Sequence, residues 1–263
     1  MKTRLLFCLI ALSACSTVMP KYHYDEKPAT LKLTLLPHDT LAAGKTIDVD
    51  AKLTSIKNLS LLTDNDFDTV HTQKIHLLIA DPTLTDYQHV HPQPTSLPGV
   101  YHFQFTPKLA GGYRVWADVT PSATHKQEFV SADLGPHKAS AIARTPSQEA
   151  DVSGYHFTLT FDTPPTEGAE SVGTVHVSGK AGLQPLMGAY GHIVGFYDDF
   201  RAIVHTHPMG EEPKNDSELG GPDVRFHLMA VKPGFLKLFA QFKIDGREVF
   251  VPFGVNVAAQ DAK

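Results

Sequence analysis

Cysteine is nearly missing from this sequence: its 263 residues carry two, Cys8 and Cys15, and none beyond. Whatever folds downstream stands on its apolar cores with no disulfide, even in an oxidising compartment. Lysine and arginine never cluster beyond scattered pairs, and the formal net charge is -5. That leaves no basic footprint for a phosphate backbone, so no nucleic acid is expected as a partner. There is no CxxC pair, no glycine-rich phosphate loop, no nucleophile elbow and no sustained 3.6-residue apolar period. Dithiol redox chemistry, nucleotide binding, serine-hydrolase chemistry and coiled-coil assembly all lack their usual carriers. Long hydrophobic runs are absent too. The most apolar stretch, Leu5 to Leu12, falls well short of the ~20 residues that span a bilayer. What the chain has in excess is histidine, with 15 against 23 lysines and arginines together.

The short apolar run follows Lys2 and Arg4 and ends in small residues, the pattern of a secretory signal. Its end, Leu12-Ser13-Ala14-Cys15, resembles the bacterial lipobox, at which the signal is cut and the new N-terminal cysteine carries acyl chains such as palmitate. The resemblance implies a signal peptide over 1–14, a lipid on Cys15 and a tether over 15–28. Membrane attachment would then come through that lipid alone. Ser16 stands where an aspartate would imply retention at the inner membrane. The implied location is the cell envelope, anchored in the outer membrane and facing the periplasm.

Beyond the tether, β-branched and aromatic runs alternate with Gly, Pro and Asp turns, the pattern of β-sandwiches. Strands are predicted at 31–36, 46–53, 74–80, 87–91, 100–106, 112–119 and 126–131. A second set is predicted at 155–161, 173–178, 191–197, 202–207, 224–231, 235–244 and 248–257. The expected fold is all-β, with two tandem sandwich domains over 29–140 and 154–258, each folding alone. A linker over 141–153 and a tail over 259–263 complete the division.

The two halves repeat. Residues 75–92 read IHLLIADPTLTDYQHVHP and residues 191–208 read GHIVGFYDDFRAIVHTHP. Aligned without a gap, His76 matches His192, His89 matches His205, His91 matches His207 and Pro92 matches Pro208. GGYRVWADV and PGFLKLFAQF also correspond. Modules with such a strand, a short turn and HxHP resemble exported bacterial proteins of Ig-like or cupredoxin-like β-sandwich type. Many of these are uncharacterised or loosely associated with copper and other heavy metals. The resemblance covers most of residues 70–120 and 185–257.

Residues i and i+2 of a strand share a face, so His89 pairs in direction with His91, and His205 with His207. A type I turn on Asp81-Pro82-Thr83-Leu84 would set His76 opposite His89, and a two-residue turn on Asp198-Asp199 would set His192 opposite His205. Each half thus predicts a triangle of imidazoles, suited to copper or zinc. His71 and Met187, five residues before each first histidine, and Met209 are possible further ligands. Without a cysteine ligand a blue-copper centre is excluded. Leu78 and Ala80 share the face of His76, and Val194 and Phe196 that of His192, so both faces should be partly buried.

The leading expectation is a non-catalytic exported metal binder, for copper ahead of zinc, that buffers, carries or delivers its ion, in the last case to another exported protein. A structural or assembly lipoprotein with packing histidines is the alternative. A cupin-like metalloenzyme built on His205, His207 and Glu211 is a further one.

Overall fold

Alternation at period two builds the outer sheets. In β2 (Ile47–Ser55) the residues Ile47, Val49, Ala51 and Leu53 are buried while their neighbours face outward. The computed structural model describes residues 29–136, 142–179, 182–206 and 208–260. The signal, the tether, Cys15 and His207 fall outside them.

β2 lies between β1 (Leu31–Pro37) and β6 (Val100–Phe105), with the short β5 (Gln93–Pro94) at the edge. Opposite stand β3 (Ile75–Ala80), β4 (Tyr87–Val90), β7 (Tyr113–Val119) and β8 (Glu128–Leu134), in the order β4-β3-β7-β8. The second half repeats the plan. One sheet runs in the order β14-β11-β10-β9, from β9 (Glu149–Val152), β10 (Tyr155–Phe161), β11 (Glu170–Val177) and β14 (Asp223–Met229). The other runs β13-β12-β15-β16, from β12 (His192–Tyr197), β13 (Ile203–Thr206), β15 (Gly234–Ile244) and β16 (Arg247–Val257). Every pairing between these strands is antiparallel. Among the described residues no strand pair or isolated bridge joins the halves. The chain is therefore two tandem β-sandwiches. Among the same residues no helix is long and apolar enough to cross a membrane.

Two details differ from the sequence reading. β9 lies within the stretch expected to be linker; its side chains alternate polar and apolar weakly, and it is recruited as an edge strand by β10. The hairpin registers are also shifted by two. Leu78 pairs with His89 and Ala80 with Tyr87, while Val194 pairs with His205 and Phe196 with Ile203. Both expected turns do form, with Leu84 N–H donating to Asp81 O at 3.0 Å and Phe200 N–H to Tyr197 O at 2.9 Å. A type I turn, however, twists against a two-residue hairpin. The chain compensates by placing Leu84 and Phe200 in the left-handed region, at φ 55° and 56°. Pairing then closes only at Asp81–Asp86 and Tyr197–Ala202. A shift of two preserves which face each side chain occupies, so the histidines keep their side.

That side is where the sandwiches meet. β3 and β12 are buried at every position. Leu77 and Ile79 point into the first sandwich, while Leu78 and Ala80 join a third core with Leu84, Tyr87, Trp116, Val194, Phe196, Ile203 and Phe239. Each half has its own core and also contributes an apolar face to this shared one. Trp116 sits 5.1 Å from the Phe196 ring and 5.2 Å from that of Phe200, and its Nε1–H donates to Arg201 O at 3.3 Å. Trp116→Ala is expected to lower stability by about 3–5 kcal/mol, read from the urea midpoint. A shift equivalent to less than about 1 kcal/mol would mean the two faces are not packed as described.

Candidate metal centre

The histidine region begins with two matching tight turns. Val70-His71-Thr72-Gln73 and Leu186-Met187-Gly188-Ala189 each close with paired backbone hydrogen bonds, at 2.8 and 3.1 Å in both. Their central residues have positive φ: 45° and 68° at His71 and Thr72, 52° and 80° at Met187 and Gly188. Each turn holds out the carbonyl of its first residue. His76 Nε2–H donates to Val70 O at 3.1 Å, and His192 Nε2–H donates to Leu186 O at 3.0 Å. In a neutral ring this leaves the lone pair on Nδ1.

The middle histidines are tied outward through their other nitrogen, each to the opposite sandwich. His89 Nδ1–H donates to Gln241 Oε1 at 3.0 Å, and Gln241 Nε2 donates in turn to Glu248 Oε2 at 2.8 Å. His205 Nδ1–H donates to Asp118 Oδ2 at 2.5 Å, and Gln127 Nε2 donates to both Asp118 oxygens at 3.0 and 2.9 Å. Asp118 lies opposite His76 in the ladder, and Gln241 opposite His192. The contacts are thus reciprocal, with an acid and an amide exchanged between the halves. The sequence reading passed over Asp118 and Gln241. Their signal was present: they are the matching polar positions of the two GGYRVWADV-type strands.

Inside this frame the first triad converges. His76 Nδ1 lies 3.2 Å from His89 Nε2 and 3.0 Å from His91 Nε2. The three ligand atoms lie within 4.8 Å of one another. His76 and His89 are buried and His91 is half-buried. Burial pushes the imidazoles down from their ordinary range, His76 and His91 to about 4 and His89 further, with the neighbouring His205 adding repulsion at His76 and His89. Burial also takes His192 down to about 3 and lowers His71. The rings are therefore neutral at physiological pH. Since both outer N–H groups are already donated, the His76 Nδ1 and His89 Nε2 lone pairs face each other across 3.2 Å. A small cation between them relieves that repulsion. Tetrahedral ligands at ~2.0–2.1 Å from zinc stand roughly 3.3–3.4 Å apart, so the residues fit an N-ligated ion.

The two triads were expected to be separate; the structure instead draws the described members of both into one cluster. His205 stands 5.5 Å from His76 and 5.4 Å from His89, ring centre to ring centre, and His192 stands 5.6 Å from His89. His71 reaches across to His192 at 6.3 Å. The cause is the packing of β3 against β12, which lays the two faces on each other. Met187 holds the matching turn position, and the Met209 N–H is bound to Arg225 O at 2.6 Å on β14. Glu211 is 89% exposed beside Lys214, away from the cluster that a cupin-like reading would need it to join. Surface histidines face carboxylates instead: His38 and His102 meet Asp50, His125 meets Asp68 and His176 meets Asp223.

A family profile described as a domain of unknown function (DUF8832) matches residues 27–133 and 150–259. The chain belongs to that family. The DUF8832 match covers both sandwiches, so the histidine cluster is built from both matched segments. No curated protein matches the chain. Solved structures similar to parts of it include an Escherichia coli alpha-2-macroglobulin activated by porcine elastase, at 15% identity and a TM-score of 0.25. That match covers 88% of this chain, which spans only 20% of the macroglobulin. Fibronectin(III)-like modules of Clostridium thermocellum CbhA match at 14% identity and a TM-score of 0.22, over 86% of this chain and 94% of theirs. A marsupial T cell receptor matches at 10% identity and a TM-score of 0.26, over 88% and 73%.

Proposed function

We propose that this DUF8832 protein is an exported, lipid-anchored metal binder that holds copper, or less readily zinc, to buffer it or hand it on within the cell envelope. The observation that carries the reading is the inward convergence of His76, His89 and His91 while the far nitrogens of His76 and His89 are tied outward. Imidazole nitrogens of this kind suit copper and zinc, and ligating histidines are usually oriented by just such outer hydrogen bonds. The cluster lies at the end of each hairpin away from its loop, beside a cleft of about 380 Å³ lined by His76, Asp118 and His205 among others. An ion can reach it from solvent there. Export and lipid attachment rest on the N-terminal sequence and Cys15.

Elemental analysis of tag-free protein loaded with copper or zinc tests the reading. Wild type is expected to retain an ion through desalting, and a His76→Ala/His89→Ala/His91→Ala variant to lose it. Equal retention by both would dismiss the site. Separately, Cys15→Ser is expected to abolish acyl labelling and detergent-phase partitioning; unchanged partitioning would dismiss the anchor.

A further inference from the structure

The three-histidine reading leaves open what completes the coordination. We infer that His205, supplied by the second sandwich and aimed by Asp118 of the first, is the fourth ligand, so that one ion bridges the two sandwiches. The inference rests on the reading above and adds a residue, a partner sandwich and a stoichiometry to it.

Ring separations carry the argument. Imidazoles sharing one tetrahedral ion hold their ring centres roughly 5 Å apart, given metal–nitrogen bonds of ~2.0–2.1 Å. Within the first triad the separations are 5.4, 4.8 and 4.9 Å. His205 meets two of the three, His76 at 5.5 Å and His89 at 5.4 Å, close to the spacing within the triad although it comes from another sandwich. Its side chain has no exposed surface, and Asp118 beside it is 6% exposed. The bond from Nδ1 to Asp118 commits Nε2 to the cluster side, as a carboxylate does for a metal-bound histidine.

The matching centre on the His192 side cannot fill at the same time. It would need His89 and His205 as well, and each of these has only its Nε2 to give, because Nδ1 is held by Gln241 or Asp118. The chain therefore binds one ion, not two. Four protein ligands leave no open position for a substrate or an activated water, the arrangement of a centre that keeps its ion rather than performs hydrolysis.

The test uses the full chain loaded with copper or zinc. Wild type is expected to bind one ion per chain, with four imidazole nitrogens in the X-ray absorption fit. His205→Ala is expected to keep the ion but show three nitrogens, with affinity at least about 10-fold weaker in a chelator competition. Asp118→Asn is expected to keep four nitrogens and weaken affinity about 10–100-fold. His205→Gln, which fills the space, separates ligand loss from misfolding, with far-UV circular dichroism as the control. Unchanged affinity and an unchanged shell in both His205 variants would overturn the bridge while leaving the three-histidine centre standing. So would two ions per wild-type chain. No ion in wild type would overturn the three-histidine reading itself.

Discussion

Saturated with copper or zinc at about a thousand times Kd, the protein is expected to gain about 4 kcal/mol of stability. For a protein of this size that raises Tm by roughly 8–16 °C. The gain comes from binding the folded state only, since the unfolded chain does not hold the histidines together. It should disappear in the His76→Ala/His89→Ala variant, whose Tm is expected to be the same with and without the ion. Differential scanning calorimetry with and without the ion reads both quantities. A wild-type Tm that ignores metal would rule out a folded-state site.

Acid is expected to do the opposite to the apo protein, and on a larger scale. His76, His89, His91 and His192 all have folded-state affinities for protons far below the ordinary imidazole value, chiefly through burial. The sign follows. Below about pH 6.5 the unfolded chain takes up these protons and the folded protein does not, so stability falls as pH falls. Each histidine contributes a slope of at most about 1.4 kcal/mol per pH unit, and four together approach 5–6. The loss continues until the folded rings accept protons, near pH 4 for His76 and His91 and about 3 for His192. Against a typical total of ~5–15 kcal/mol, the apo protein should unfold within about two to three pH units below 6.5. Urea midpoints at pH 7, 6 and 5 measure the slope, and His192→Gln should make it shallower by one histidine's share. Equal midpoints at pH 7 and 5 would show that the rings are not buried neutral.

Much of this architecture is legible in the chain before any coordinates. Strands such as β2 and β10 announce themselves by period-two burial, and the repeat of HxHP at one spacing marks the two hairpins. The burial of the His76 face follows from Leu78 and Ala80 standing beside it. Two things escape. The register hides because its determinants, Leu84 and Phe200, are large apolar residues in the left-handed region, a conformation that sequence normally signals with glycine or asparagine. The union of the triads escapes because nothing local to either hairpin says which surface it meets. Only the matching polar positions Asp118 and Gln241, each two residues beyond an aromatic of the shared core, Trp116 or Phe239, hint that a second set of imidazoles lies opposite.

The contacts across the shared face are reciprocal. His89 bonds to Gln241 as His205 bonds to Asp118, and the two loops and the two tight turns match one for one. That is the self-complementary arrangement of an isologous homodimer, written within one polypeptide. A one-module protein presenting this face would meet its own copy only at the associating concentration of subunits. Joining two such modules in one chain removes that concentration dependence. It also lets the two ends differ: a carboxylate backs one central histidine and an amide the other. The cluster therefore has two unequal ends, a direction that no symmetric pair could have.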